Sequence, residues 1–483
     1  MTIAAATESS GPPPRGGGPD DLRRTGSGKL TRRDFVIRAG TAIAGLTSVG
    51  VLSAPVHAAG RFPGADQFEA EVATAWFDLS LDLVKGASGY SPPVASRAFA
   101  YAGVTLYESL VPGMAGSGSL GDALGGLGPL PATGNDAAHD WPTVANAALA
   151  SNFRSFFPTA RAQDRAALDS LEASFEDRFK PTLPRGVFGR SVRRGQEVAA
   201  AVFEWSKSDG GHEAYLRNFP PYDPPVGPGL WVPTPPGFLP ALQPYWGRNR
   251  SFAIRRGGDC PPGDHPPFSE DAESTFHSEA IEAYEAVRNL TPEQDAIARF
   301  WSDDPGTTAT PPGHSISIAT QVVRREGSSL AAAAEAYAKV GMAVGDAFIA
   351  CWYQKYVYNL LRPVTYIGRL IDPDWLPLLA TPPFPEYTSG HSVQSGAAFQ
   401  VLTDLFGDGY AFVDHTHDDR GLPPRGFGSF LEAAEEAAIS RLYGGIHFRA
   451  AIVNGVEQGK CIGRAVSAVP LQARHRAERP RSR

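Results

Sequence analysis

Twelve stretches of this chain space their apolar residues for one face of a helix, and no run alternates them as a strand would. Helical spacing is read over 70–85, 93–110, 143–157, 161–179 and 191–207. It returns over 270–288, 292–302, 314–326, 328–361, 392–406, 429–443 and 447–466. Such a pattern confines the chain to an all-α fold, one or two helical bundles of the four-helix type. Residues 208–268 break it. Repeated Pro-Pro pairs, among them 220–221, 224–225, 235–236 and 261–262, with aromatics between them predict a long irregular segment packed over the surface.

With 483 residues the chain can bury a large core, and its net charge of −7 argues against a nucleic-acid partner. Cys260, Cys351 and Cys461 allow one disulfide and leave one thiol over, which excludes a tetracysteine zinc site.

The two ends read differently. Residues 1–30, rich in Gly, Pro and Ser without apolar periodicity, are expected to be disordered. Residues 31–59 carry Arg32-Arg33, then a mildly apolar stretch, then Ala54-Pro55-Val56-His57-Ala58. That is the layout of a twin-arginine signal peptide, and the stretch is too poor in Leu, Ile and Phe to favour a membrane anchor. Its removal would take seven basic and four acidic side chains, leaving 37 basic against 47 acidic. The mature chain is therefore expected to be exported, extracytoplasmic and free of membrane spans, after meeting the twin-arginine translocation machinery. Residues 60–470 form the catalytic region, and 471–483 a basic frayed tail.

Three segments carry groups suited to an oxyanion. In the first, Lys355 and Arg362-Pro363, seven residues of helix place both cations on one face before proline stops the helix. In the second, Ser389-Gly390-His391 opens a helical run, where backbone N–H groups and a hydroxyl hold anions and an imidazole moves protons. In the third, Ser440-Arg441 is separated from His447 by the helix-breaking Gly444-Gly445. An Arg fork suits two oxyanion oxygens, and a neutral imidazole serves as ligand or nucleophile. Singly, each also reads as surface charge, helix cap or loop. Together they fit one guest, phosphate or vanadate.

The order and spacing of these segments resemble the signature shared by vanadium-dependent haloperoxidases and their relatives among the acid and lipid phosphatases. The resemblance to the bacterial haloperoxidase branch extends to Pro228–Pro236, Trp246-Gly247 and Phe300–His314. It implies vanadate bonded to His447, with Lys355, Arg362, Arg441, Ser389 and the Gly390 amide on its oxygens. It makes His391 the acid/base toward hydrogen peroxide and Lys355 the group that polarises peroxide for attack by halide, chloride or bromide. A small organic acceptor then takes the halogen. Trp352 and Phe384 fall where the family has pocket aromatics, and Asp304 where it has a carboxylate supporting an Arg and the acid/base His. Core packing accounts for the two aromatics nearly as well. His314 is either a pocket residue or a helix-start histidine outside the site.

One departure stands out. Many relatives carry an acid four residues after the last His, whereas this chain has Ala451. His447 is then expected to lean on a backbone carbonyl. The run Asp414–Asp419, with His415 and His417, reads as a solvated loop rather than a metal site. Two other functions stay open: a secreted acid phosphatase with a phosphohistidine on His447, and a helical scaffold that has lost its activity.

Overall fold

A computed structural model describes residues 62–132 and 138–471. The segments expected to be a disordered N-terminus (1–30), a signal peptide (31–59) and a basic tail, apart from residue 471, lie outside the described residues. Thirteen helices account for most of what is described. They are α1 (Glu71–Gly86), α2 (Pro92–Leu110), α3 (Trp141–Phe156), α4 (Ala162–Phe179) and α5 (Arg185–Ser206) before the irregular segment. After it come α6 (Thr275–Arg288), α7 (Pro292–Phe300), α8 (Thr310–Arg325), α9 (Leu330–Tyr358) and α10 (Pro363–Leu370). The set closes with α11 (Gly390–Phe406), α12 (Phe430–Tyr443) and α13 (Arg449–Ser467).

The helices form where the apolar spacing places them, with two additions. α10 is eight residues long, too short for a periodic signal, and begins at Pro363. A pair of three-residue antiparallel strands, β1 (Phe412–Asp414) and β2 (Arg425–Phe427), is equally brief. Proline at the first helical position is favourable, because its missing N–H has no intrahelical partner there anyway. The helix carrying Lys355 therefore does not run on to Arg362. It ends at Tyr358, and Asn359 caps it in the left-handed region at φ 46°.

α9 is the axis of the molecule, buried along most of its length. It packs on α2, α8 and α11, and α11 packs on α13. Two glycines set that last approach. A β-carbon on Gly459 would sit 2.2 Å from the Val393 carbonyl oxygen, and one on Gly396 would sit 2.6 Å from that of Val456. The two backbones thus touch, and the start of α11 is fixed beside the start of α13.

The irregular segment is not merely laid over the surface. Trp231 and Trp246 are buried, and 229–231 run alongside 359–361 through the Trp231 N–H to Asn359 and the Leu361 N–H to Gly229. The Leu242 N–H donates to Pro383, and the Leu242 carbonyl accepts from Trp352 Nε1 and the Tyr356 hydroxyl. Aromatic and backbone contacts that lack any period escape a periodicity reading, yet they strap this segment to the first and second oxyanion segments.

Cys260 and Cys461 form a disulfide joining the segment to α13, and Cys351 is the buried free thiol. Closing a loop of 201 residues constrains the unfolded chain strongly. Cys260→Ser is expected to lower the unfolding free energy by about 2–4 kcal/mol, measured by denaturant titration.

Candidate active site

The three oxyanion segments converge at one end of α9, α11 and α12. Ser389 caps α11, its hydroxyl accepting from the Ser392 N–H at 3.4 Å, so Gly390 and His391 occupy the first helical turn. Arg441 lies in the last turn of α12. Gly445, at φ 72°, turns the chain so that Ile446 and His447 fold back toward Arg362. Trp352, Phe384, Gly390, His391, Arg441 and His447 line one cavity of about 770 Å³.

Arg362 is held on three sides. Nε donates to the Phe384 carbonyl (2.8 Å) and Nη1 to that of Ile446 (2.7 Å), and Nη1 lies 3.2 Å from His447 Nε2. Its Nη2, fully buried, has no partner. Arg441 is anchored by Ser440 Oγ and the Ala298 carbonyl. The Phe384 ring lies 4.9 Å from both the Lys355 ammonium and the Arg362 guanidinium, and 4.9 Å from the Trp352 ring. Both aromatics thus wall the pocket as well as pack it.

Lys355 differs from the expectation. Its ammonium donates to the carbonyls of Pro385 (3.0 Å), Glu386 (2.9 Å) and Thr388 (2.5 Å), so all three donors point at backbone. It contributes charge to the cavity wall, and a hydrogen bond to a guest would have to replace one of these. Burial, with Arg362 nearby, pulls its pKa down to about 7.

Burial likewise lowers Arg362 and Arg441 to about 10. It also drives both imidazoles well below their ordinary value, reinforced by Arg441 at His391 and by Arg362 and Lys355 at His447. Both rings are therefore neutral near pH 7. His391 bonds the Trp301 carbonyl, and its Nε2 is buried without a partner. A base with a free lone pair thus stands at the cavity wall.

The missing acid after His447 is replaced from another part of the chain. Glu386, fully buried, lies 2.9 Å from His447 Nδ1 through Oε1, which also accepts the Phe448 N–H at 2.9 Å. A carboxylate, and not the backbone carbonyl expected, therefore holds His447. Glu386 stands five residues before His391, between Pro385 and Tyr387. A search confined to the residues after His447 misses it. A buried-site acid inside the second motif was the available signal. The contact places the Nδ1 proton toward the carboxylate and leaves Nε2 as the ligand atom. Glu386→Gln is expected to weaken vanadate retention about 10–100-fold, read by vanadium content after dialysis.

Asp304 meets its expectation only in part, as a charge near Arg441. It is exposed at the cavity rim, and its carboxylate makes no hydrogen bond to Arg441 or His391. The buried acid is its neighbour Asp303, held at φ 50°. His314 is enclosed between carboxylates, Nδ1 2.8 Å from Asp303 and Nε2 2.7 Å from Asp414. His417 Nε2 lies 3.2 Å from the other Asp303 oxygen. The loop at 414–419 is therefore only half solvated: His415 and Asp418 are exposed, whereas Asp414 and His417 turn inward to fill a buried polar hole.

Asp303, His314 and His417 bring ligand-type atoms within 4.8 Å of one another. Burial opposes charge on His314, but Asp303 and Asp414 outweigh it and raise its pKa to about 10. The His314 imidazolium therefore already bridges both carboxylates, Nδ1–H donating to Asp303 and Nε2–H to Asp414. Two carboxylates around one imidazolium leave negative charge, the wrong sign for an oxyanion.

The pocket has the opposite sign. Lys355 and Arg362 meet one buried carboxylate, Glu386, and Arg441 lies near the exposed Asp304 and near Asp303, which is already paired to the His314 imidazolium, while Arg362 Nη2 and His391 Nε2 lack partners. Surplus buried cations with idle donors around a neutral imidazole fit vanadate, whose oxygens would accept those bonds.

The family model described as VCPO second helical-bundle domain matches residues 335–475, which hold all three segments. A comparison with curated proteins found no match. Among solved structures, one described as the first bacterial vanadium-dependent iodoperoxidase is 37% identical, with a TM-score of 0.76. The match covers 86% of this chain and 99% of that one. The chain belongs to the vanadium-dependent haloperoxidases. Two bacterial vanadium-dependent chloroperoxidase structures, holo and apo, share its fold at 17% identity. Their TM-scores are 0.61 and 0.60, covering 80% and 78% of this chain and 93% and 92% of theirs. For a haloperoxidase of this family the cofactor is vanadate, and the donor set above is the one in this chain that suits it.

Proposed function

We propose that this protein oxidises halide with hydrogen peroxide at the cavity around His447, giving hypohalous acid and water. The observation that carries the reading is one pocket lined by Arg441 and two neutral imidazoles, with buried Arg362 3.2 Å from His447 Nε2, buried Lys355 against the Phe384 ring, and His447 oriented by Glu386. Vanadium(V), when bound, supplies Lewis acidity without changing oxidation state.

The chain's own residues do the rest. His447 Nε2 is the vanadium ligand. Arg362 and Arg441 hold oxyanion oxygens, joined by the Gly390 amide at the positive end of α11 and by Ser389. Lys355, held by three backbone carbonyls, adds a preoriented ammonium whose positive charge is complete below about pH 7. His391 Nε2 takes a proton from hydrogen peroxide, and the Trp301 carbonyl keeps the ring turned for it. Trp352 and Phe384 exclude water. The iodoperoxidase described above makes iodide, the most easily oxidised halide, the first to test.

Glu386 answers the case for an inactive scaffold, which rested on Ala451. A phosphatase would use the same donors, with His447 attacking phosphorus and His391 protonating the leaving group. The deciding assay is triiodide formation from iodide and peroxide, with and without added vanadate, beside hydrolysis of p-nitrophenyl phosphate. Vanadate-dependent triiodide formation is expected. Phosphate release without it would reverse the reading.

Twin-arginine export to an extracytoplasmic space is part of the proposal. The Cys260–Cys461 disulfide supports it, since such bonds persist in oxidising compartments. Among the described residues no helix is long and apolar enough to cross a membrane. Mass spectrometry of the exported protein is expected to show cleavage near residue 59.

A further inference from the structure

The polar hole beside Trp301 is left over by the halide chemistry. Asp303 follows α7, His314 lies near the start of α8 and His417 lies between β1 and β2, so three separate stretches of chain meet there. All three side chains are buried, and they line a cavity of about 180 Å³ on whose wall neither His391 nor His447 stands.

Two observations point to a cation there. The first is charge. Asp303 and Asp414 together carry more negative charge than the His314 imidazolium returns, and Asp78, Asp82 and Asp419 line the same cavity. Its wall also holds Arg420 and Lys85, the latter 3.4 Å from Asp419. The second is an idle ring nitrogen. His417 is only 2% exposed, and its Nε2 lies 3.2 Å from Asp303 Oδ1. The two atoms lack the alignment of a hydrogen bond, so this buried nitrogen has no partner. A buried polar atom left in that state calls for a ligand or another explanation.

We propose that Asp303, His314 and His417 bind a divalent transition-metal ion, zinc before others, through one carboxylate oxygen, His314 Nδ1 and His417 Nε2. These atoms already lie within 4.8 Å of one another, so small side-chain turns bring them around one ion. Two imidazoles and a carboxylate are donors that zinc accepts, whereas calcium and magnesium ask for oxygen. The cavity leaves room for water as a fourth ligand. On binding, the proton on His314 Nδ1 leaves to solvent and the freed lone pair bonds the ion. The Nε2–H stays on Asp414 at 2.7 Å, which then acts as the carboxylate that orients a metal-bound histidine. Without metal, the imidazolium bridge described above stands in the ion's place. The ion ties the loop after β1 to the start of α8, apart from the vanadate pocket.

The test is the zinc content of the full chain, stripped with a chelator, loaded with zinc chloride in the absence of vanadate and dialysed against excess calcium. About one zinc per chain is expected to remain. Asp414→Asn, which removes only the support of a ligand, is expected to weaken binding about 10–100-fold, and His417→Ala, which removes a ligand, by more than about a hundredfold. His417→Gln keeps a polar group in the hole and carries the same expectation should the alanine chain not fold. His447→Ala and His415→Ala are expected to keep the zinc, because neither the vanadate pocket nor the exposed pair of His415 with Asp418 is the site. Zinc that washes out of the parent or yields to calcium overturns the proposal. So does zinc that stays at parent affinity in the His417 variants, or that is lost from His447→Ala or His415→Ala.

Discussion

Alanine at position 447 is expected to leave a folded protein that retains no vanadate and oxidises no halide. The imidazole it removes is the one held against Arg362 and oriented by Glu386, a geometry that the other neutral imidazole on the cavity wall, His391, does not share. A loss of about 4 kcal/mol in cofactor binding already means about a thousandfold weaker retention. The remaining cations would hold an oxyanion only as exchangeable ions. Vanadium content after dialysis and triiodide formation should therefore fall together. Circular dichroism should stay at the parent level, because Glu386 keeps the Phe448 N–H as a partner. Full vanadium content in the variant would mean that the ligand lies elsewhere.

The second large effect is expected outside the pocket. His314→Gln removes the positive charge between Asp303 and Asp414 and leaves two buried carboxylates without a counter-charge. Breaking a buried pair in this way costs about 3–5 kcal/mol, which chemical denaturation would read directly. The pH dependence follows from the directions of the shifts. His314 is raised from 6.5 to about 10, so its contribution is complete below about pH 6.5 and is lost as pH rises through about 10. The Asp303 and Asp414 carboxyls are held below their ordinary value, Asp303 chiefly by His314 against burial, so their contribution is lost as pH falls under about 4. Parent stability should fall at both ends, and the alkaline fall should flatten in the variant. Activity should drop as well, since the Trp301 ring stacks on His314 at 4.4 Å and its carbonyl holds His391. Unchanged stability in His314→Gln would mean that His314 is not charged in the native state.

How far the sequence anticipates this structure depends on the kind of interaction. α2 and α11 announce themselves, because apolar spacing records which face is buried. The Ser389 cap and the Gly444-Gly445 break are equally local, and the structure places both where the residues imply. α10 is too short to show a period. The end of α9 is set by Asn359 in a left-handed cap, which the proline four residues on masks in the sequence. Glu386 and Asp303 are harder cases. Each acts on a partner distant in sequence, and in each case an acid at a different position drew attention: the absent one at Ala451 and the adjacent one at Asp304. Pairings between distant segments are invisible to a reading that follows the chain. The family resemblance supplied the gathering of the three segments, and geometry supplied who holds whom.

The placement of Glu386 also bears on how such a protein can change. The stretch Glu386–His391 delivers both the carboxylate behind His447, the proposed ligand, and His391, the proposed base toward peroxide. Inserting or deleting a residue among the four between them would disturb both at once. Conversely, grafting this six-residue stretch into a related scaffold would carry ligand orientation and proton transfer together, as one inheritable cassette.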